Sequence, residues 1–377
     1  KARTLSTVRG TVQADQLKES MGQNTLVFNL DTALRMMGDV AEFYVDNEVR
    51  NHYFVSISGY HIAEAGANPI SQAALTLSNG LTYVELFNSR GLDANKFLRN
   101  FSWFFSNGMD PEYAVIGRVC RRIWAIAMRD MYGVDERGQK LKYHIQSSGR
   151  SLHAQEYTWN DYRTTLQALY ALADNANSLH TNSRDEAFGT PTEDTVRDAV
   201  AIQLILSKEY GWLQNENPLQ GSHVAEWLTD SVEEEILKIF EEMHRRGGVL
   251  GALEVNYQRN RIQDESMIYE HRKHSGELPI IGVNTFEEGV DNSLSLEEFD
   301  IEVTRSDKEE RMMVIDRNKV FKDTHAKEAE EGLARLKQVA REGGNLFEVM
   351  MDIVEHCTVG QVTQALFETG GKFRRNM

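Results

Sequence analysis

Short strand-like runs recur along the first half of the chain, and a helical pattern fills each gap between them. The runs lie near residues 7–13, 53–58, 101–105, 142–146 and 177–182. Alternating strands and helices favour a parallel sheet with right-handed crossovers. Five such units are too few for an eight-stranded (β/α)8 barrel, although they would form its last five. We therefore predict an α/β fold, the C-terminal five strands of a TIM-type barrel followed by an α-helical C-terminal region.

One face of each predicted strand is polar, which is unusual for strands covered by helices. The side chains of this parity are Thr11, Gln13, Ser56, Ser58, Tyr60, Ser102, His144, Gln146, Ser178, His180 and Asn182. Strand alternation would place this set inside the barrel, where hydroxyls and amides lose hydrogen bonds unless a ligand provides them. We expect a long polar ligand in the interior. The alternative is a four- or five-stranded sheet with one solvated face.

Composition and charge restrict the partners of such a fold. The chain has 377 residues, of which 41% are hydrophobic and 26% charged, and its formal net charge is −16. That charge repels nucleic acid and anionic membranes, and no apolar run approaches the roughly 20 residues that span a bilayer. The two cysteines, Cys120 and Cys357, make no disulfide framework, which is typical of a reducing compartment. We expect a cytoplasmic globular protein with no nucleic-acid or membrane partner.

Sequence pattern divides the chain into three regions. Residues 1–286 contain the predicted partial barrel with trailing helices near 223–246 and 251–274. Residues 287–323 are predicted to form an acidic linker, and residues 324–377 a helical dimerisation region. The chain opens without a Met and enters a strand-like run almost at once, so we expect a segment of a longer polypeptide.

Apolar side chains in the last region recur at helical spacing. They are Leu346, Met350, Val354, Val359, Val362, Leu366 and Phe367. A short helical region cannot bury such stripes within itself. Packing against the barrel is one explanation, and a homodimer contact is the one that we expect.

Several long motifs carry a resemblance to a known family. The segments "GTVQADQLKE", "SISGYHIAEAGAN", "KYHIQSSGRSL" and "NSLHTNSRDEAFGTPT" are similar, in this order, to motifs of the adenosylcobalamin-dependent acyl-CoA mutases. The resemblance covers nearly the whole chain. The segments "SNGMDPEY", "NENPLQGS" and "LPIIGVNTF" are most similar to the fused members of the family, in which a cobalamin domain and a G-protein chaperone domain precede the mutase barrel.

The resemblance implies that the pantetheine arm of an acyl-CoA substrate occupies the polar interior. It also implies an adenosylcobalamin-dependent radical 1,2-rearrangement, here between isobutyryl-CoA and n-butyryl-CoA. The alternatives are an isovaleryl or pivalyl, a 2-hydroxyisobutyryl or a methylmalonyl substrate, or a non-catalytic self-associating fragment when the chain is isolated. The cobalamin-domain signature Asp-x-His-x-x-Gly and a phosphate-binding loop are absent from the sequence. The cobalt ligand, and the GTP and Mg²⁺ of the G domain, would therefore lie outside this chain, in which we expect no metal ligands.

The resemblance assigns roles to residues at matching positions. His61 matches the histidine that hydrogen-bonds the migrating thioester carbonyl, and Tyr60 matches the tyrosine beside the adenosyl group. Gln13 and Gln146 match the glutamines that orient the acyl group. Gln23 lies where the methylmalonyl enzymes carry an arginine that pairs with a substrate carboxylate. A neutral amide cannot compensate a buried carboxylate, so we expect an uncharged acyl group.

Further matching positions concern coenzyme A, the cofactor and the G domain. The expected CoA contacts are Arg9, Tyr53, Ser102, Arg137, Lys142, His144 and Ser178. Asn182 and Glu186 match contacts to the adenosyl ribose. Glu254 and Asn376 match positions near the nucleotide of the G domain.

Each of these residues also has a plain structural explanation. His61 would be an ordinary structural histidine at a strand end, and Gln23 a surface residue. Ser183 and Glu186 have the spacing of a capping box that would open a helix. The basic residues at or before strand starts would be scattered surface charges, although together they indicate a basic rim at the bottom of the barrel.

Overall fold

Parallel strands form the centre of the computed structural model, which describes residues 5–287 and 306–374. The strands are β1 (Arg9–Thr11), β2 (Asn51–Tyr53), β3 (Val55–Ser58), β4 (Phe101–Asn107), β5 (Tyr143–Ser147) and β6 (Ser178–His180). β1 pairs with β2, and a four-stranded sheet has the order β3-β4-β5-β6. Every one of these pairs is parallel, and one residue, Phe54, separates β2 from β3. All five predicted runs are confirmed as strands, and the fold is mixed α/β.

Helices occupy the connections between the strands, apart from the single residue between β2 and β3, and further helices follow β6. They are α1 (Gln16–Lys18), α2 (Leu30–Asp46), α3 (Tyr60–Glu64), α4 (Pro69–Ser89), α5 (Ala94–Phe97), α6 (Ile116–Asp130), α7 (Asn160–Ala173), α8 (Glu193–Leu204), α9 (His223–His244), α10 (Gly248–Glu254), α11 (Tyr257–Ser275), α12 (Lys308–Thr324), α13 (Ala326–Glu342), α14 (Leu346–Ile353) and α15 (Val359–Gly370). Two π-helical turns, Glu19–Gln23 and Ile205–Glu209, extend α1 and α8. None of the helices in the described residues has the length and apolar character needed to cross a membrane.

The register of the sheet places residues of the polar face in a row. Ser58 of β3 pairs with Phe104 of β4, Phe104 pairs with His144 of β5, and His144 pairs with Ser178 of β6. Phe104 has the same strand parity as Ser102. An aromatic ring therefore interrupts the face that the sequence predicts to be polar.

The other face of the sheet packs on helices through a core rich in aromatic rings. Trp103 of β4 and Trp124 of α6 have ring centroids 4.7 Å apart, and Phe54 lies 5.7 Å from Phe87 of α4. Most of α4 is buried, since it contacts the sheet, α6 and α9. One face of the sheet is thus closely packed against helices. The polar face is therefore the one that can bind a ligand.

The helices after the sheet differ in part from the prediction. α9 matches the first of the two predicted trailing helices. The second is divided into α10 and α11 at Asn256, whose φ of 55° is a left-handed conformation that Asn tolerates better than most residues. The capping-box explanation of Glu186 is wrong, because residues 184–188 form turns and no helix begins at Ser183.

The region predicted as an acidic linker, residues 287–323, is helical in its C-terminal part. α12 begins at Lys308, where the Asp307 side chain accepts a hydrogen bond from the backbone N–H of Glu310 in a capping box. Residues 288–305 of the predicted linker lie outside the described residues.

The C-terminal helices form a second small core against the outer face of α2. Its buried residues are Ala329, Leu336, Leu346, Val349, Ile353, Cys357, Ala365 and Leu366. Asp39 of α2 accepts a hydrogen bond of 3.0 Å from the backbone N–H of Leu346 and pairs with Arg90 at 2.8 Å. Two members of the predicted apolar stripes, Val354 and Val359, remain 55% and 84% exposed. Part of the stripes is therefore buried within the protein, and these two valines are left for other contacts.

Replacing Gly80 with Ala is expected to destabilise the fold. In α4 the added Cβ would lie 2.2 Å from the ring of the buried Trp103. Overpacking of this kind costs about 1–3 kcal/mol. Gly360→Ala is the matched control, because Gly360 is also helical and no heavy atom lies within 4 Å of the added carbon. The urea midpoint of the full-length polypeptide, followed by circular dichroism, should fall for Gly80→Ala alone, and equal midpoints would contradict the packing described.

Candidate active site

A network of three hydrogen-bonded side chains lies where β3, β5 and β6 end. Gln146 donates from Nε2 to the hydroxyl of Tyr60 at 3.0 Å and to Oδ1 of Asn182 at 2.9 Å. Asn182 is buried, and its Nδ2 donates to the carbonyl of Ser147 at 2.8 Å. The carboxyl ends of parallel strands carry the ligand sites of α/β folds. Three predicted site residues are thus brought together at the edge where a site is expected.

The ring of Phe104 packs against three predicted site residues. It is stacked on Tyr60, with centroids 4.8 Å apart and an interplanar angle of 8°. The His61 ring meets it edge-on at 5.8 Å, and the His144 ring lies at 5.4 Å. Phe104 is not among the predicted site residues, although its parity with Ser102 identifies it as a residue of this face.

His61 is held as a neutral imidazole. Burial and the nearby positive charge of Lys18 lower the pKa of His61 to about 4, while the charge of Glu19 acts in the opposite direction. Nδ1 of the ring lies 2.7 Å from the hydroxyl oxygen of Ser58. At neutral pH the ring therefore carries one N–H, which suits it to donate a hydrogen bond to an uncharged carbonyl.

Glu64, at the end of α3, lies in the site although it is not among the predicted site residues. Its carboxylate accepts hydrogen bonds from the hydroxyl of Ser106 at 3.0 Å and from the backbone N–H of Arg150 at 2.8 Å. Burial raises the pKa of Glu64, and these hydrogen bonds act in the opposite direction. The signal in the sequence is weak, because a Glu three residues after His61 has no partner until the loop after β5 is placed beside it.

Gly149 leaves open space between Glu64 and the network. A Cβ at this position would lie 3.3 Å from Oε2 of Glu64, 3.8 Å from Nδ2 of Asn182 and 3.9 Å from the hydroxyl of Tyr60. Glu186 lies in the turn that follows β6, and its pKa is raised first by burial and then by neighbouring carboxylates. Hydroxyl, amide and carboxyl groups of this kind can bond the hydroxyls of a sugar.

The predicted CoA positions lie on the strands or just before them. Arg9, Arg137 and Lys142 are exposed and lie at or before strand starts. Nδ1 of His144 lies 2.8 Å from the hydroxyl oxygen of Ser178. The remaining two positions are the half-buried Tyr53 of β2 and Ser102 of β4.

Four predicted residues lie apart from the network. Gln13 is exposed just after β1, and Gln23 is exposed at the end of a π-helical turn, beside Lys18. Glu254 is exposed at the end of α10. Asn376 lies outside the described residues. The roles of these four residues stay predictions.

A cavity of about 820 Å³ adjoins the site on the side of α11. Ser148 and Arg150 line it, and both also contact Glu64. The guanidinium of Arg150 lies over the ring of Tyr269 at 4.2 Å. Within the described residues there is no group of three or more His, Cys, Asp or Glu side chains placed to hold a metal ion.

The comparisons with known proteins identify the family. The family model for methylmalonyl-CoA mutase matches residues 1–372, and the chain belongs to this family. The predicted membership of the acyl-CoA mutases is therefore confirmed.

Several relatives share one name. The chain is 60% identical over 377 residues to the "Fused isobutyryl-CoA mutase" of Nocardia farcinica, which covers 100% of this chain and 35% of that protein. It is 60% identical over 375 residues to the "Fused isobutyryl-CoA mutase" of Geobacillus kaustophilus, covering 99% and 34%. Identity to the mitochondrial methylmalonyl-CoA mutase of Mus musculus is 33% over 372 residues, covering 97% and 49%. The chain thus spans about a third of the length of the fused relatives that it matches.

Proposed function

We propose that this chain is the acyl-CoA-binding, catalytic part of an adenosylcobalamin-dependent mutase that interconverts isobutyryl-CoA and n-butyryl-CoA by a radical 1,2-rearrangement. The observation that carries the proposal is the grouping of Tyr60, Gln146 and Asn182 beside a neutral His61, at the carboxyl ends of parallel strands. Identity of 60% to two fused isobutyryl-CoA mutases supports this choice of substrate pair.

We infer that the strands belong to a (β/α)8 barrel whose other strands lie outside this chain. Among the described residues, β1 has a strand partner on one side and β6 has a strand partner on one side. Open strand edges of this kind are paired or covered in stable folds. If β2 and β3 are counted as one strand interrupted at Phe54, three further strands between β6 and β1 would complete eight and enclose the polar face.

The enclosed polar face suits the pantetheine arm of an acyl-CoA. The amides and hydroxyl of that arm need hydrogen-bond partners, which Ser102, His144 and Ser178 would provide. Arg9 and Lys142 lie at the amino ends of their strands, where they would pair with the phosphates of coenzyme A. The thioester would then lie near the carboxyl ends, beside His61.

We infer that the adenosyl part of adenosylcobalamin would lie against the surface around Gly149. The absence of a side chain at Gly149 leaves the space, and Asn182 and Glu186 would bond the ribose hydroxyls. Tyr60 would pack beside the adenosyl group. When bound, the cofactor supplies the radical chemistry of the rearrangement.

His61 would act on the substrate rather than on the cofactor. Its single N–H would donate to the thioester carbonyl, and a positioned donor of this kind lowers a reaction barrier by about 3 kcal/mol. The stacked rings of Tyr60 and Phe104 would exclude water from the migrating group. Gln146 would orient the acyl group while its Nε2 remains hydrogen-bonded to Oδ1 of Asn182.

We further propose that two other domains act with this chain. A cobalamin-binding domain would supply the cobalt ligand, and a G-protein chaperone domain would bind GTP and Mg²⁺, as the resemblance implies. Glu254 is exposed at the end of α10 and is therefore accessible to the G domain.

Gly149→Ala is expected to lower turnover of isobutyryl-CoA by the full-length polypeptide at saturating adenosylcobalamin. The added carbon would occupy the space beside Glu64, Asn182 and Tyr60, and we expect a loss of about tenfold or more from the displaced groups. Gly189→Ala is the control, because no heavy atom lies within 4 Å of its added carbon. Turnover of Gly149→Ala equal to that of the control would contradict the cofactor position.

Substrate preference tests both the function and the role of Gln23. We expect kcat/KM of the full-length polypeptide for isobutyryl-CoA to exceed that for methylmalonyl-CoA by about a hundredfold or more, since an uncompensated carboxylate loses roughly 3 kcal/mol. Gln23→Arg should lower the ratio of kcat/KM for isobutyryl-CoA to kcat/KM for methylmalonyl-CoA. Comparable values in the wild type would show that Gln23 does not set specificity.

The same assay contains the controls for the function itself. Omitting adenosylcobalamin should abolish turnover, because the source of the radical is then missing. The 377-residue chain alone should also be inactive, because its barrel is incomplete. Isovaleryl, pivalyl and 2-hydroxyisobutyryl thioesters are assayed in parallel. A full-length polypeptide with bound cofactor that is inactive on every one of these thioesters would overturn the proposed mutase function.

We propose that a second copy of this chain packs against α12 and the adjoining end of the C-terminal region. α12 has no buried residue, and Met313 and Val320 are 49% and 65% exposed. Ring contacts of His325 with Phe321 and His356 place the end of α12 beside the loop after α14. The first turn of α12 carries Glu309 and Glu310 beside Lys308 and Arg311, and the last two turns carry Lys319 and Lys322. Two antiparallel copies would bring the two glutamates of one copy near the two lysines of the other.

Met313→Glu combined with Val320→Glu is therefore expected to convert a dimer of the full-length polypeptide into a monomer. The carboxylates would be desolvated in an apolar interface without partners. The control is Val224→Glu, since Val224 is 72% exposed and lies on a different helix, α9. Light scattering after size-exclusion chromatography gives the mass. An unchanged mass in the double variant would contradict this interface.

A further inference from the structure

The hydrogen bond between Ser58 and His61 decides which ring nitrogen carries the proton. If the Ser58 hydroxyl donates to Nδ1, the proton of the neutral ring lies on Nε2. If the hydroxyl accepts instead, the proton lies on Nδ1 and is consumed by the bond. The heavy-atom distance of 2.7 Å is the same in both cases. Only when Ser58 donates does the ring keep an N–H, on Nε2, that it can donate to a ligand.

The burial of Ser58 favours the first arrangement. Ser58 has 0% of its surface exposed, and within the described residues its hydroxyl has no acceptor besides Nδ1 of His61. A hydroxyl that accepted from Nδ1 would leave its own hydrogen unpaired away from water, which is a costly state for a buried polar group. Donation to Nδ1 satisfies the hydroxyl and places the ring hydrogen on Nε2.

The backbone of Ser58 is held by hydrogen bonds, which fix the position of its Cβ beside His61. Its N–H donates to Oδ2 of the buried Asp15 at 3.0 Å, and Oδ1 of Asp15 accepts from the hydroxyl of Tyr83 at 2.7 Å. The next N–H, that of Gly59, donates to the carbonyl of Phe104 at 2.7 Å. Ser58 is therefore fixed from two directions, at the end of β3 and one residue before the turn into α3.

We propose that Ser58 is a positioning residue, which donates its hydroxyl hydrogen to Nδ1 of His61 and so holds the imidazole as the Nε2–H tautomer that donates to the thioester carbonyl. The inference rests on the proposed function, because the acceptor is the substrate of the mutase. Ser58 touches neither substrate nor cofactor in this scheme, and it acts through His61.

The carbonyl stretching frequency of bound substrate tests the proposal without turnover. We measure the infrared difference spectrum of isobutyryl-CoA labelled with ¹³C at the carbonyl, bound to the full-length polypeptide without adenosylcobalamin. The hydrogen bond should lower the frequency relative to free thioester in the wild type. Ser58→Ala should reverse a large part of that shift, and Ser58→Cys, with a weaker donor, should give an intermediate frequency.

Ser78→Ala is the matched control for the infrared measurement. Ser78 is also a buried serine, 7% exposed, and it lies on α4, outside the polar face of the sheet. The wild-type carbonyl frequency should persist in this variant. If Ser58→Ala does not fold, Ser58→Cys decides: a wild-type frequency in Ser58→Cys would overturn the proposal.

A double-mutant cycle with His61→Gln separates tautomer control from a structural role. Gln places an amide N–H near the position of Nε2 but has no tautomers, so Ser58 has nothing to select in that background. Ser58→Ala should lower kcat about tenfold in the wild-type background and less than about twofold in the His61→Gln background. Equal losses in both backgrounds would show that Ser58 is merely structural.

The outcomes distinguish failure of this inference from failure of the proposed function. If the carbonyl frequency of the bound thioester is the same in the wild type and in Ser58→Ala, the inference is overturned and the mutase function stands. The absence of any bound thioester signal in the wild type overturns the proposed function, and the role of Ser58 with it.

Discussion

The buried carboxylate of Asp15 joins the segment after β1 to β3 and α4. It accepts hydrogen bonds from two backbone amides of its own turn, from the hydroxyl of Tyr83 and from the amide of Ser58. Burial raises the pKa of Asp15, and these hydrogen bonds oppose the rise. Removing one of the donors would leave part of a buried charge uncompensated. The end of β3, and with it the helix that bears Tyr60 and His61, consequently has one position relative to the core.

Side chains on the polar face of the sheet hydrogen-bond one another in pairs. Tyr60 bonds Gln146, and His144 bonds Ser178. A ligand entering this face exchanges existing hydrogen bonds for new ones, so the net gain of each exchange is small. Affinity for a long ligand must then come from many such exchanges and from its charged end, whereas orientation comes from the few groups that are fixed in advance.

Most of the fold and about half of the site could be predicted from the sequence, because strand alternation is encoded in neighbouring residues. That rule also identifies Phe104, once its parity with Ser102 is noticed. The proximity of Glu64 to Gly149 could not be predicted, since the two come from different strand–helix connections. The apolar stripes of the last helices were visible as stripes, but period alone does not say that α2 covers part of them.

The outer face of helix α2 is covered by C-terminal helices that are synthesised much later. Asn29 and Thr32 donate to the carbonyl of Gly370 across 341 and 338 positions of sequence. Contacts so remote form late in folding, because the loop between them must be closed before they contribute. During synthesis the apolar side chains of Phe28 and Met36 therefore face water for tens of seconds, at about 5–20 residues added per second. The nascent chain exposes an aggregation-prone apolar surface throughout that interval, and the last helices of the chain bury it.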